Sequence, residues 1–293
     1  MIYLKRFLLP SEGAESAFVM KEHRTCFPTF YPFRIFPGKS LRELEFDGIT
    51  LFYGGNGSGK STLINVIARK LNALRYSDFN GAPFFDDYVG LCSASFSKVP
   101  DHAVVLTSDD VFDYALNARS VNGSIDGRRK ELLDNYVSVH HQYHRDAGIV
   151  RMHGLDDYER WNDTMEILSP RRTQSAYVRS RVVRDVDLRS NGETAMHYFL
   201  ERIEDDGLYF LDEPENSLSV EYQLQLAEFI AATARSSRTQ FVIATHSPIL
   251  LAMKGARIYN LDDDPACVCR WTELPNVRRF FDFFMEHRQE FGD

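Results

Sequence analysis

The chain has 293 residues, of which 44% are hydrophobic and 26% are charged, and this ordinary globular composition excludes the collagenous, disordered and disulfide-scaffold classes. Its formal net charge of -8 excludes a uniformly basic protein that coats nucleic acid, but it leaves room for a local basic face. The four cysteines lack a paired CxxC arrangement, which predicts neither disulfides nor structural zinc. No apolar run approaches the roughly 18 residues of a membrane span, and the N-terminal stretch is unlike a signal peptide, so we expect a cytoplasmic protein.

The first half of the chain predicts a β-rich start followed by helices. Short β-type runs at 3–9, 41–46 and 49–53 predict strands near the N-terminus. Turn-forming residues predict a turn at 11–16, an irregular segment at 20–37 and a loop at 75–100. A buried-type strand is expected at 104–107, a flexible break at 120–127, and polar helices at 128–146 and 156–167. These helices lie in a predicted helical insert that covers residues 117–189.

The second half of the chain predicts strands that alternate with helices. We expect helices at 193–204 and 220–234, buried strands at 208–211 and 241–244, and a short helix from Pro248. Such alternation is typical of a mostly parallel sheet with helical crossovers. The sequence therefore predicts an α/β fold, with an antiparallel N-terminal β lobe and the insert at 117–189, in one domain of residues 1–293.

Residues 54–61 satisfy the phosphate-loop pattern G-x-x-x-x-G-K-[ST] between a predicted strand and a predicted helix. Glycines are needed because several backbone N–H groups must point at one anion, and a Cβ would block that approach. Lys60 is expected to reach the β and γ phosphates, and the Ser61 hydroxyl to ligate Mg²⁺. The predicted nucleotide-binding residues are Gly54, Gly55, Asn56, Gly57, Ser58, Gly59, Lys60, Ser61 and Thr62.

Two acids close the apolar strand 208–211, which places them at the carboxyl edge of a parallel sheet, where α/β folds bind ligands. Asp212 is expected to hold Mg²⁺, and Glu213 to take a proton from the attacking water or to orient it. His246 follows the next buried strand at the same sheet edge, where a histidine can bond the γ phosphate or the attacking water. The predicted catalytic residues are thus Glu213, His246 and Lys60.

Together these motifs resemble those of the ABC-type P-loop ATPases, in the group formed by the structural-maintenance-of-chromosomes (SMC) heads, RecF and the OLD-like proteins. The resemblance identifies 54–61 as Walker A, 208–213 as Walker B with the catalytic Glu213, His246 as the switch histidine and 215–219 as the D-loop. It also identifies a shortened signature motif in Ser190, Asn191, Gly192 and Glu193. In this superfamily the signature of one subunit caps the γ phosphate held by another. The resemblance therefore implies ATP and Mg²⁺ as ligands and a homodimer closed across ATP.

Several features depart from the family pattern or remain open. No glutamine matches the Q-loop, and Ser108, Asp109 and Asp110 stand after the strand at 104–107; Asp109 or Asp110 is expected to help the metal or to couple the insert to the site. The arginine-rich run from Arg171 to Arg189 predicts either a solvated face or a contact with nucleic acid, a partner or nucleotide. His140 and His144 are spaced for a metal, but a solvated helical face is the favoured interpretation.

The sequence thus predicts a Mg²⁺-dependent ATPase that drives a separate effector protein, such as a nuclease or toxin, in DNA maintenance or antiviral defence. Two alternatives stay open. The first is the nucleotide-binding subunit of a membrane ABC transporter, which shares the catalytic motifs. The second is a nucleotide-gated scaffold with little turnover, which a Glu213→Gln substitution distinguishes because only an ATPase loses activity.

Overall fold

The computed structural model describes residues 2–24, 26–79, 81–145, 158–168, 173–182 and 191–292. The chain divides into two compact units, one formed by Met1–Asp113 with Ser190–Asp293 and the other by Tyr114–Arg189. No helix of the described residues is both long enough and apolar enough to cross a membrane.

The first unit is built on a seven-stranded sheet. Its strands are β3 (Ile49–Tyr53), β4 (Leu74–Arg75), β6 (His102–Thr107), β7 (Gly207–Asp212), β8 (Gln240–Ala244), β9 (Arg257–Asn260) and β10 (Cys267–Cys269). They lie in the order β10-β9-β3-β8-β7-β6-β4. All neighbours pair in parallel except β10, which is antiparallel to β9 at the edge. Strands β3 and β8 are buried throughout, as expected for a parallel sheet covered on both faces.

A second, three-stranded antiparallel sheet has the order β2-β1-β5 and consists of β1 (Leu4–Leu8), β2 (Glu43–Glu45) and β5 (Ser93–Phe96). The buried Gln240 side chain joins the two sheets, because its Oε1 accepts the N–H groups of Tyr3 and Leu4, each at 2.9 Å. Its Nε2 donates to the carbonyl of Leu4 at 2.9 Å. The two sheets confirm the predicted α/β fold with a mostly parallel sheet and an antiparallel N-terminal lobe.

Ten α-helices are assigned within the described residues. They are α1 (Glu12–Lys21), α2 (Lys60–Lys70), α3 (Phe85–Leu91), α4 (Ser108–Arg145), α5 (Tyr158–Leu168), α6 (Gln174–Arg179), α7 (Asn191–Arg202), α8 (Val220–Ser236), α9 (Pro248–Leu251) and α10 (Pro275–Glu286). In the second unit, Leu132 of α4, Ile167 of α5 and Val178 of α6 form a small buried cluster. In the first unit, the buried face of α2 belongs to the main hydrophobic core.

The predicted turn at 11–16 and the predicted break at 120–127 were both wrong, because both segments lie in helices. The segment 11–16 is not a turn but the start of α1, because the Ser11 side chain caps the helix by accepting the Ala14 N–H at 3.2 Å. The segment 120–127 is not a break, since α4 continues through it. There the helix carries an Asp126–Arg129 ion pair at 2.7 Å, a contact between neighbours on a helix face.

The predicted loop at 75–100 contains regular structure. Its residues form the end of β4, all of α3 and all of β5. Within α3, Phe85, Tyr88 and Val89 are buried at helical spacing. Strand β5 exists because it pairs with β1, a contact that is distant in sequence and invisible to a local pattern.

Candidate functional site

The candidate site lies where the parallel strands of the large sheet end. Thr107, the last residue of β6, lies opposite Asp212 at the end of β7, and Asp212 lies opposite Ala244 at the end of β8. The phosphate loop follows directly after β3, whose Phe52 lies opposite Ala244. The topology therefore brings the predicted loop, the acidic pair and the residues after β8 to one edge.

The phosphate loop is tightly curled. Gly57 and Gly59 have positive φ values of 81° and 96°, a region that favours glycine. At Gly54, an added Cβ would lie 2.4 Å from the Ser58 Oγ, so only glycine fits there. Asn56 is exposed at the outer turn of the loop.

Lys60 begins α2 and turns back into this loop. Its side chain is 4% exposed, and its Nζ donates to the carbonyls of Gly54 at 2.8 Å and Gly55 at 3.2 Å. The buried Ser58 Oγ has no hydrogen-bond partner among the described residues. A held ammonium, an unpartnered hydroxyl and the N-terminus of an eleven-residue helix are suited to a polyanion such as a phosphate chain.

Ser61 and Asp212 form the neighbouring pair of oxygen donors. The Ser61 hydroxyl donates to the Asp212 Oδ1 at 3.0 Å. Burial raises the pKa of Asp212 to about 6, and the nearby Glu213 charge adds to this, while the Ser61 hydrogen bond and the positive charges of Arg75 and Lys60 oppose it. Hydroxyl and carboxylate oxygens are the donors that Mg²⁺ prefers, and a divalent cation would stabilise the charged carboxylate, so the pair fits the predicted metal.

Glu213 has a strained backbone. Its φ of 47° and ψ of 51° place it in the left-handed region, which non-glycine residues rarely adopt. Its N–H donates to the Ala244 carbonyl at 2.9 Å, and its Oε2 accepts the Asn216 Nδ2 at 3.0 Å. Its Oε1 lies 3.3 Å from the Lys60 Nζ. The carboxylate is therefore held directly beside the phosphate loop.

His246 also lies close to Glu213. Its Nδ1 lies 3.8 Å from the Glu213 Oε1 and 3.4 Å from the Glu215 Oε1. The buried Glu215 accepts the Thr245 hydroxyl at 2.7 Å and the N–H of His246 at 2.8 Å. Glu215 thus fixes the backbone from which His246 projects.

A cleft with a volume of about 460 Å³ opens beside Ser61, Asp212 and Glu213, and Asp109 is part of its lining. Asp110 has a structural contact instead, since its Oδ2 accepts the Thr107 N–H at 2.7 Å at the start of α4. Of the two candidate acids, Asp109 thus faces the cleft, whereas Asp110 caps the start of α4.

Sequence reasoning missed three residues of this region, Tyr31, Arg75 and Asp262, and the contacts that Glu215 makes. The cleft is also lined by Tyr31 and by Arg75, whose guanidinium donates to the Asn65 Oδ1 at 2.7 Å. Burial lowers the pKa of Arg75, against the raising effect of acids that include Asp212. Glu215 holds the His246 loop, as described above. Both carboxylate oxygens of Asp262 accept the Gly55 N–H, at 3.0 and 2.9 Å.

Tyr31, Arg75 and Asp262 carry no local motif that points to the site. Tyr31 reaches the site through a hydrogen bond between its hydroxyl and that of Thr62, at 2.8 Å. Thr62, one of the predicted nucleotide-binding residues, is thus bonded to Tyr31. Glu215 was identified only as the first residue of the D-loop. Its position three residues after the last residue of a buried strand was the available signal.

The signature residues and the basic run are only partly described. Ser190 lies outside the described residues, whereas Asn191, Gly192 and Glu193 form the first turn of α7. An added Cβ on Gly192 would lie 2.9 Å from the Tyr222 ring, so this glycine permits close packing of α7 on α8.

In the basic run, Arg171, Arg172, Arg184 and Arg189 lie outside the described residues. Arg179 ends α6 and is exposed. The Arg181 Nη2 contacts Asp163 and Glu166, each at 2.6 Å, so two carboxylates balance its charge. His140 and His144 lie on α4, but their side chains are outside the described residues.

Two family models match the chain around the site. The family described as "AAA domain, putative AbiEii toxin, Type IV TA system" matches residues 194–252, and the family described as "AAA domain" matches residues 32–82. The first match contains the acidic pair and His246, and the second contains the phosphate loop.

A curated relative and two solved structures are also similar. The "Uncharacterized ABC transporter ATP-binding protein/permease YOL075C" of Saccharomyces cerevisiae is 24% identical over 259 residues, which cover 81% of this chain but only 18% of that protein. The SMC head domain of Pyrococcus furiosus bound to the C-terminal domain of ScpA is 14% identical, with a TM-score of 0.42 and coverage of 98% of this chain and 100% of that one. The SMC head domain from Thermotoga maritima is 14% identical, with a TM-score of 0.39 and coverage of 92% and 99%.

Proposed function

We propose that this chain, whose motifs resemble those of the ABC-type P-loop ATPases, binds ATP with Mg²⁺ and hydrolyses the bond between the β and γ phosphates. The observation that carries the proposal is the approach of Glu213 to Lys60, 3.3 Å between Oε1 and Nζ, beside the Ser61–Asp212 pair. Phosphate binding, metal binding and a candidate base thus share one sheet edge.

Each residue of the edge has a distinct part in this proposal. Lys60 and the backbone amides of the loop bind the phosphates, and Ser61 with Asp212 would hold Mg²⁺. The metal, when bound, neutralises charge on the phosphate oxygens. Glu213 orients the attacking water and accepts its proton, and His246 donates a hydrogen bond on the γ-phosphate side.

The proposal includes a homodimer closed across ATP. Its basis is the signature motif, Ser190 to Glu193, whose described part forms the first turn of α7. Helix N-termini bind anions through their free N–H groups, so this turn is suited to capping a γ phosphate held by another subunit. The turn would then complete the site in trans.

We further propose that hydrolysis drives a separate effector protein, such as a nuclease or toxin, in DNA maintenance or antiviral defence. The match to a family whose description includes a toxin of a type IV toxin–antitoxin system supports this extension. Affinity purification of the full chain from its native host, with and without ATP, tests it. Recovery of a nuclease or toxin supports the proposal, and recovery of a permease favours the alternative below.

A second candidate is the ATP-binding subunit of a membrane transporter. The name of the yeast relative includes an ABC transporter ATP-binding protein and permease, and this chain matches 18% of that protein's length. The catalytic chemistry is the same in both candidates. What distinguishes them is the partner, so a stable complex with a multi-span membrane protein would replace the effector proposal.

Turnover and binding measurements test the core proposal. We expect Mg²⁺-dependent phosphate release by the wild-type chain, and a fall of about 10²-fold or more for Glu213→Gln with ATP binding retained. Glu273→Gln, at an exposed acid outside the site, serves as the matched control and should leave turnover unchanged. Equal turnover of Glu213→Gln and wild type would remove the ATPase proposal and favour a scaffold.

Mass measurement tests the ATP-dependent dimer separately. Glu213→Gln blocks hydrolysis while leaving the phosphate loop intact, so it should accumulate the ATP-bound state. We expect its mass to double when ATP and Mg²⁺ are added, and the additional Gly192→Asp substitution to prevent this change. An unchanged assembly at saturating ATP would remove the proposed role of the signature.

A further inference from the structure

The loop after β9 lies directly beside the phosphate loop. Strand β9 pairs in parallel with β3, and its last residue, Asn260, lies opposite Tyr53 at the end of β3. The chain that follows each of these two strands therefore leaves the sheet at the same edge. After β3 the chain enters the phosphate loop at Gly54, where an added Cβ would lie 3.1 Å from the Asp262 Oδ1. The parallel pairing thus brings an acidic side chain against the first glycines of the phosphate loop.

Asp262 is held in place by the turn to which it belongs. The Oδ1 of the buried Asn260 accepts the Asp262 N–H at 3.1 Å, and its Nδ2 donates to the Asp263 Oδ2 at 2.6 Å. The N–H of Leu261 donates to the carbonyl of Tyr53 at 2.8 Å. These contacts fix the backbone of the turn, so the Asp262 carboxylate faces the phosphate loop even though the residue is exposed.

A single peptide group of the phosphate loop is hydrogen-bonded at both of its ends. The peptide that joins Gly54 to Gly55 consists of the Gly54 carbonyl and the Gly55 N–H. Its N–H donates to both carboxylate oxygens of Asp262, at 3.0 and 2.9 Å, and its carbonyl accepts the Lys60 Nζ at 2.8 Å. The two ends of a trans peptide point in opposite directions. The carboxylate on one side and the ammonium on the other therefore stabilise the same orientation of the peptide plane.

This peptide plane needs such contacts because glycines lie on both sides of it. Rotation of the plane changes the ψ of Gly54 and the φ of Gly55, and glycine tolerates a wide range of both angles. Once the Asp262 contact is lost, the plane can turn its carbonyl away from Lys60. A lysine ammonium has three N–H donors, and the carbonyls of Gly54 and Gly55 bind two of them. The same carbonyls thus set the direction of the third.

We propose that Asp262 is a positioning residue for nucleotide binding, which holds the Gly54–Gly55 peptide and so keeps Lys60 directed toward the phosphates. This role rests on the ATP binding proposed above, and it extends the site to a residue outside the phosphate-loop motif. Without Asp262, bound nucleotide has to restore the orientation of the peptide, which lowers the apparent affinity by the fraction of molecules that are misoriented. The bound complex then has its normal geometry. Loss of Asp262 should therefore weaken binding and spare the chemical step.

Calorimetry with ADP and steady-state kinetics with ATP test this division. We expect Asp262→Ala to raise the dissociation constant for ADP and the KM for ATP roughly tenfold, as for loss of a hydrogen bond to a charged group. Its kcat should stay within about twofold of the wild type. Asp262→Asn keeps an oxygen acceptor and should bind ADP at least about threefold more tightly than Asp262→Ala.

A matched control removes the same charge from the same turn. The Asp264 Oδ1 accepts the Ser40 hydroxyl at 3.3 Å, so Asp264→Ala should leave the affinity for ADP unchanged. Circular dichroism and melting of Asp262→Ala should match the wild type, which excludes unfolding as the cause of weaker binding. Tighter binding by Asp262→Ala would show that its carboxylate repels phosphate, and it would overturn the proposal. Failure of Asp262→Asn to recover affinity would do the same.

Amide exchange tests the contact itself without nucleotide. In protein labelled with ¹⁵N-glycine, the Gly55 N–H should exchange at least about tenfold faster in Asp262→Ala than in the wild type, because its acceptor is gone. An unchanged exchange rate would contradict the proposed contact. A wild-type chain that binds neither ADP nor ATP would remove the proposed function together with this role. Wild-type binding that Asp262→Ala retains in full would remove only the role of Asp262.

Discussion

The buried carboxylate of Glu215 accepts the backbone N–H of His246, with 2.8 Å between Oε1 and nitrogen. The same oxygen accepts the Thr245 hydroxyl at 2.7 Å and the Ser247 N–H at 3.2 Å. One oxygen atom thus fixes three consecutive residues after β8. The proposed γ-phosphate contact of His246 therefore depends on a side chain that belongs to the neighbouring strand's loop.

We predict that Glu215→Ala lowers kcat by up to about 10²-fold while the dissociation constant for ATP stays nearly unchanged, because a small displacement of His246 affects the reacting geometry more than phosphate binding. Glu215→Gln retains an oxygen acceptor and should recover most of the activity. Steady-state kinetics and calorimetry measure the two quantities.

A double substitution separates this positioning role from a general loss of structure. If Glu215 acts through His246, the Glu215→Ala and His246→Ala pair should be no slower than His246→Ala alone. Multiplicative losses in the double variant would show that Glu215 acts independently of His246, and the assigned role would be wrong.

Ser61→Ala should raise the Mg²⁺ concentration required for half-maximal turnover by roughly tenfold or more, since it removes a direct oxygen ligand and even an outer-shell partner is worth that much. A magnesium titration of phosphate release at saturating ATP measures this. Ser40→Ala, at an exposed serine outside the site, is the control. A Mg²⁺ requirement that is the same in Ser61→Ala and in wild type would exclude Ser61 as a ligand.

The phosphate loop and the acidic pair can be located from the sequence because both patterns are local. Glycine spacing, a lysine and an apolar strand that ends in Asp212-Glu213 lie within a few residues of each other. The parallel sheet follows from the alternation of strands and helices. A parallel sheet in turn brings the ends of its strands to one edge, which explains why Glu213 lies 3.3 Å from Lys60.

Residues that reach the site through tertiary contacts could not be predicted. Arg75 lies in the cleft because β4 pairs with β6, and a two-residue strand has no detectable periodicity. Asp262 contacts Gly55 because β9 lies beside β3. Similarly, the glycines in 120–127 indicate a break locally, but the helix α4 continues through them, with ion pairs on its exposed side.

Gly54→Ala should weaken ATP binding by more than about tenfold, because its Cβ would lie 2.4 Å from the Ser58 Oγ and overpacking of this kind costs roughly 1–3 kcal/mol. Calorimetry with ATP measures the change. Gly48→Ala is a matched control, since nothing lies within 4 Å of the Cβ it would add. The second-site substitution Ser58→Gly should restore part of the affinity by removing the atoms that collide. Normal binding by Gly54→Ala would show that the loop adapts.

The stability of the N-terminal lobe should depend on pH through Glu15. This carboxylate is 2% exposed; burial is the largest cause that raises its pKa, the neighbouring Glu12 charge adds to this, and the hydrogen bond from the Arg34 N–H at 2.6 Å opposes it. Tyr88 and Cys92 are the other titratable groups that face it.

A carboxylate with a raised folded-state pKa favours the native state only while it is protonated. As the pH rises above about 4.3, the unfolded chain ionises first, so the free energy of unfolding should decrease until the folded-state pKa is passed. Glu15→Gln removes this dependence, so its Tm should exceed that of the wild type at pH 7 and equal it near pH 4. Melting curves between pH 4 and 8 measure the difference, with Glu12→Gln as the exposed control on the same helix. A constant difference over this range would mean that Glu15 does not titrate differently in the two states.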